Sequence, residues 1–154
     1  MYPWFVFLHL VGLVLFLLAH GVSLWVSFAV RRSADPATAR LLLMLSARGN
    51  QVMYVGLLVL AIGGLAAAAT NGLLLAPWVI GSYVTLVVVF VGMYAVGAAF
   101  YYPLRDALLP KAGEPIEAAE LARRVDNRRP ELLALIGIGG LVVLVWLMVL
   151  KPGA

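Results

Sequence analysis

The stretch "FLHLVGLVLFLLAHG", residues 7–21, decides the fold. It is apolar throughout except for two imidazoles, His9 and His20, the only histidines in the chain. Extended outward it becomes a run from Pro3 to Val30, longer than the roughly 20 residues a helix needs to cross the hydrocarbon core of a bilayer. Three more such runs follow, over 41–70, 76–108 and 130–150. The chain of 154 residues is 64% hydrophobic and 12% charged, too little polar surface for a soluble domain. No period-2 alternation is present, which argues against a membrane barrel. The expected class is therefore all-α: one polytopic four-helix transmembrane domain over residues 1–154, with a short cytoplasmic amphipathic helix.

Cysteine is absent, which excludes disulfides, thiolate metal sites and covalent haem attachment. The net charge of +4 has an explanation that does not involve nucleic acid. Arg31, Arg32, Arg40 and Arg48 gather around the first connection. Arg105, Lys111, Arg123, Arg124, Arg128 and Arg129 gather around the third, whereas the second, "TNGLLLAPW", is uncharged. By the positive-inside rule the basic connections are cytoplasmic and both termini face outward. The first span lacks a basic leader and is followed by Arg31-Arg32, so it reads as an uncleaved span.

Local signals place the ends. Pro3 suits a first helical turn, and Trp4 and Trp25 sit where interfacial aromatics belong. In "SADPATAR", residues 33–40, Asp35 is the expected N-cap and Pro36 the first position of the second helix. Asn71-Gly72 ends that helix, and the short turn after it predicts that spans two and three are antiparallel neighbours. Pro103, in "AAFYYPLRDALLP", is expected to kink or end the third span. In "KAGEPIEAAELARRVDNRRP", Ala118, Leu121, Ala122 and Val125 fall at i, i+3, i+4 and i+7, the pattern of a surface helix lying against the bundle or headgroups. Glu120 can pair there with Arg123 or Arg124. Pro130 starts the fourth span.

At 100° per residue, Ser27 lies in line with His9, and His20, Phe16 and Ser23 lie within about 40° of that line. Gly12 is about 60° away. These residues form one stripe on the first helix, and ionisable groups inside a membrane face protein or water rather than lipid. The stripe is thus expected to face the interior or a dimer axis. Other spans offer small residues to meet it: Gly49, Gly56, Gly63 and Thr70 at seven-residue spacing, then Gly81, Thr85, Gly92 and Ala99, and "GIGG" at 137–140. Small residues let helices approach closely, and they could equally leave room for a flat macrocycle. Spacing alone does not separate the two.

Eleven residues rise about 16.5 Å, so one metal ion cannot take both imidazoles. The chemistry this pattern suggests is b-type haem, with His9 and His20 as axial ligands at two depths, carrying electrons within or across the membrane rather than acting as a classical enzyme. Opposite ligands would come from a methionine (Met44, Met53, Met93 and Met148 are available, and Met53 is the one assigned to the site) or from a second copy paired through the first helix. Arg31, Arg32 and Arg48 could hold propionates. Against this stands plain packing, in which each imidazole hydrogen-bonds a neighbouring helix for about 1 kcal/mol. No carboxylate lies in a membrane core, which disfavours a proton relay. A different class of reading is a non-catalytic accessory subunit among other membrane chains, since little of the chain lies outside the bilayer.

The N-terminal "FLHLVG", the four-span plan with arginine-rich connections and the C-terminal "VLKPG" resemble a group of small bacterial predicted integral membrane proteins. More distantly they resemble the membrane domain of copper-resistance D proteins and the J-type protoporphyrinogen oxidases. This resemblance implies a bacterial cytoplasmic-membrane protein, and, through the oxidases, haem binding at His9; porphyrinogen oxidation or copper handling would be the alternative activities. The oxidases also carry a second His at the end of the first span and a buried basic residue in a later one. Here that first region reads "SLWVSFAVRR", and spans three and four are expected to contain no buried Lys or Arg.

Overall fold

A computed structural model describes residues 1–109 and 116–153. Lys111 and the rest of the third connection before Ile116 lie outside the described residues. The elements are α1 (Tyr2–Arg32), α2 (Pro36–Thr70), α3 (Pro77–Leu108), α4 (Ala118–Val125) and α5 (Arg129–Leu150), with no strand among the described residues. Four of them, α1, α2, α3 and α5, are long and apolar enough to cross a membrane.

Caps and turns account for the boundaries. The Asp35 carboxylate accepts from the backbone N–H groups of Ala37 and Thr38 and from the Thr38 hydroxyl, satisfying the first donors of α2. The Thr38 hydroxyl, then the two N–H groups, hold this carboxyl below its ordinary range. At the other end of α2 the Leu73 N–H bonds to the Ala68 carbonyl and the Gly72 N–H to that of Ala69, with Gly72 at φ 67°. This is a Schellman cap, which glycine adopts at no steric cost.

Pro103 does not end the third span. The helix continues to Leu108 through it. A proline removes the N–H that would bond four residues back, here to Ala99, and leaves that carbonyl unmet. Arg129 of α5 fills the vacancy, donating from Nη1 to the Ala99 oxygen at 2.7 Å. Membrane helices keep internal prolines where a neighbour re-satisfies the freed group in this way.

The bundle is assembled as two pairs. α1 packs chiefly on α2 and α3 chiefly on α5, while α2 meets α3 and α1 meets α5 only sparsely. Spans two and three are neighbours, as the short turn predicts, but they touch only lightly. The turn between them is short, but the glycines of α2 face α1 and draw it there instead. Gly12, Gly56 and Gly63 bring the two main chains together: a Cβ on Gly56 would stand 2.6 Å from the Phe16 nitrogen, and one on Gly63 2.7 Å from that of His9. α3 and α5 mesh differently, with Leu147, Ile136 and Leu133 side chains resting on Gly81, Gly92 and Gly97.

The best-buried apolar cluster lies at the arginine-rich end, where Val26, Val30, Leu43, Phe100, Leu104 and Leu108 meet Leu121 and Val125 of α4. That short helix turns its apolar side onto the bundle, and Glu120 pairs with both Arg123 and Arg124 on its other side. Ala118 and Ala122 stay exposed.

Candidate functional site

Both imidazoles point into the seam between the two helix pairs. His9 lies where α1, α2 and α3 meet. Its Nδ1 is 2.7 Å from the Leu60 carbonyl oxygen. A carbonyl can only accept, so the proton sits on Nδ1 and the Nε2 lone pair is left available. The sequence makes this contact possible through Gly63-Gly64. A Cβ on Gly64 would stand 2.8 Å from His9 Nδ1 and 3.0 Å from Cε1, so any larger residue there would displace the ring. Tyr83 of α3 closes the same corner, donating to the Ala61 carbonyl at 2.9 Å.

His20 stands about 16.5 Å further along α1. Phe16, one turn earlier, stacks on it with centroids 5.3 Å apart and planes 11° from parallel. Opposite is Gly137 of α5. From the position a Cβ would take there, His20 Nε2 is 3.2 Å away and Met93 Sδ of α3 is 3.7 Å away. A ring nitrogen and a thioether sulfur therefore converge on one point from α1 and α3.

A polar network continues the stripe toward the arginine-rich end. Ser46 donates to Ser23 at 3.3 Å, and Ser23 donates to the Asn50 side-chain oxygen at 2.9 Å. Tyr101 of α3 donates to the Ser23 carbonyl at 2.7 Å, a second strut across the seam. Ser27, wholly buried, bonds back to the Leu24 carbonyl at 2.7 Å. Ser46, Asn50 and Tyr101 were missed by a reading confined to one helix face, because they come from the two helices that meet it.

The basic residues fall out unevenly. Arg31 is engaged with Glu131. Arg32 and Arg48 are exposed. Met53 is half-buried on α2, and Met93 is the methionine brought beside His20. Among the described residues no Lys or Arg of spans three and four is buried, but Arg105 of α3 is half-buried. Its Nε and Nη2 are closed off and unpaired among the described residues. Its place among the connection arginines hid it, since the α3 helix continues past Pro103 and carries it back against the bundle. Among the described residues no three His, Asp or Glu side chains gather as a metal cluster.

Four helices long and apolar enough to span a bilayer, uncharged through their middles, define an integral membrane protein. Residues 4–152 match the family described as predicted integral membrane protein (DUF2269), and the chain belongs to that family. No curated protein and no solved structure matches it.

Proposed function

We propose that this is a b-type haem protein of the bacterial cytoplasmic membrane that passes electrons within or across the bilayer, with His20 as its principal axial ligand and His9 as a second. The observation that carries the reading is the convergence of His20 Nε2 and Met93 Sδ beside Gly137. Nitrogen and thioether donors form a recurrent axial set for haem iron, so the donor chemistry fits. The side-chain packing of α3 and α5 and the sparse contacts between the pairs favour the seam over the main-chain contact of α1 and α2 as the part that would admit a macrocycle.

Bound haem supplies a one-electron Fe(III)/Fe(II) couple. The chain contributes binding and orientation. Phe16 stacks on the His20 ring and fixes its plane, and Met93, in place of Met53, would supply a second donor to the group. At His9, the Leu60 carbonyl holds the Nδ1 proton and so orients a free Nε2, the arrangement by which backbone carbonyls fix ligating imidazoles. The basic end faces the cytoplasm and both termini face outward, by the placement of arginine. Cysteines introduced at Gly72 and Ser33 test that orientation, with Gly72 labelling only from outside and Ser33 only from inside.

Spectra of the purified protein, oxidised and reduced, test the haem. A Soret band that is lost on His20→Ala and altered in ligation on Met93→Leu is the expected result. Protein from a haem-replete host without that band would end the reading. The rival is a non-catalytic accessory subunit, favoured by the long uncovered apolar face of α3 at Val84, Val87, Val88 and Val91. Such a chain would purify in fixed ratio with other membrane proteins and carry no cofactor.

A further inference from the structure

Arg105 presents an unusual state for a charged side chain. Its guanidinium carbon lies 5.6 Å from the centre of the Tyr101 ring. Nε and Nη2 are shut off from solvent and, among the described residues, are the only buried side-chain polar atoms with no hydrogen-bond partner. These two nitrogens are the adjacent ones on one edge of the guanidinium. Their N–H bonds run side by side as the fork that grips two oxygens of one carboxylate or phosphate. Arginine does not shed its charge on burial, so an unmet fork in the interior is strongly unfavourable.

The described carboxylates do not meet it. Glu131 is held by Arg31, Glu120 by Arg123 and Arg124, and Asp35 caps α2. Asp106, Glu117 and Asp126 are exposed. The Tyr101 hydroxyl is spent on the Ser23 carbonyl. We infer that Arg105 is the seat of an oxyanion, carboxylate or phosphate, carried by an amphiphile that enters from the bilayer at the arginine-rich end between the helix pairs. This does not depend on the haem reading. The oxyanion has two sources, the phosphate of an anionic lipid or the propionate of a porphyrin.

The test uses the full chain in mild detergent and two matched pairs of probes: phosphatidylglycerol against phosphatidylcholine, and hemin against its dimethyl ester. Retention is read by native mass spectrometry. The wild type should retain the anionic member of one pair about tenfold over its neutral counterpart, as expected for one charge-assisted bidentate contact. Preference within the lipid pair identifies a lipid phosphate, and preference within the hemin pair identifies a propionate. Arg105→Gln should abolish the preference, and Arg40→Gln, an exposed charge at the same end, should leave it intact. Arg105→Lys keeps the charge without the fork. It provides a folded comparison if the glutamine variant does not assemble, and it should lose most of the preference. No preference in the wild type, or the same preference in both Arg105 variants, overturns the proposal. So does a Glu114→Gln variant that loses stability to which Arg105→Gln adds nothing, because the fork would then belong to an internal ion pair.

Discussion

Along α1 and α2 glycine brings main chain against main chain, whereas along α3 and α5 it receives the ends of side chains. A Cβ on Gly12 would collide with the Leu60 main chain, and one on Gly56 would come within 2.6 Å of the Phe16 nitrogen. On Gly81 the same atom would only touch a Leu147 methyl at 3.5 Å. The first interface cannot yield without moving a helix. At Gly81 the second can repack by rotating a side chain, although at Gly140 the branched Val89 side chain would block a Cβ. Where His9 and His20 enter the seam, glycine does a third thing, since Gly64 and Gly137 make room for an imidazole rather than for a helix. One residue type at similar spacing thus closes one interface and leaves space in another.

The largest effect should break the first interface. Gly56→Ala is expected to destabilise the chain by about 3 kcal/mol, the upper part of the range for overpacking, because the obstacle is backbone. Gly81→Ala should stay within about 0.5 kcal/mol, as the new methyl makes an ordinary contact. Unfolding in mixed micelles with rising SDS measures both. Similar losses at the two positions would mean that the pairs do not differ in the way described.

A smaller effect separates the two glycines of the Gly63-Gly64 step. Gly64→Ala should push the His9 ring from the Leu60 carbonyl, at about 1 kcal/mol for an intramembrane hydrogen bond. Nitrogen-15 spectra of labelled histidine provide the sharper reading. His9 should be protonated at Nδ1 in the wild type and lose that tautomer preference in Gly64→Ala. A wild-type proton on Nε2 would remove the basis for treating His9 as a ligand in waiting.

Within the second pair, Arg129 of α5 and Pro103 of α3 form a compensating unit. Arg129→Ala should cost about 1 kcal/mol by orphaning the Ala99 carbonyl. In a Pro103→Ala background the helix supplies its own N–H to that carbonyl, so the same Arg129 change should cost much less. A double-mutant cycle with no coupling would assign Arg129 to surface charge alone.

These contrasts show what a sequence carries and what it does not. The four spans, the Asp35-Pro36 start, the Asn71-Gly72 stop and the apolar side of α4 depend on local chemistry, and local chemistry is written in neighbouring letters. The buried direction of the His9–His20 stripe was legible too, because an ionisable stripe has only one tolerable place in a membrane. Which methionine stands beside His20 depends on how α3 is rotated against α1, and no spacing within either helix records that. The pairing of Arg31 with Glu131 spans a hundred residues. Pro103 looked like a breaker because its remedy, Arg129, lies on another helix. The unmet fork of Arg105 was hidden for the same reason: arginine near a membrane face is ordinarily a solvated charge.

The smallest predicted effect lies outside both interfaces, at the start of α2. The Asp35 carboxylate is fully exposed, and its partners, the Thr38 hydroxyl first and then the Thr38 and Ala37 N–H groups, bond the ionised form better than the protonated one. Its pKa is therefore lower in the folded chain than in the unfolded chain. The sign follows from linkage: the unfolded chain takes up a proton first as pH falls, so stability from this group is complete above the ordinary aspartate pKa and is lost progressively down to the depressed folded value. Hydrogen exchange at the Ala37 and Thr38 amides should accelerate relative to the intrinsic rate across that acid window. Exchange at Gly56, locked in the main-chain contact with α1, should show no such change. Asp35→Ala should give the loosened cap at every pH, and Asp35→Asn should keep most of the capping with no acid transition. An acid transition of equal size in Asp35→Asn would place the titrating group elsewhere, and Glu120, held low by its hydrogen bond to Arg124 and the charge of Arg123, would be the next to replace.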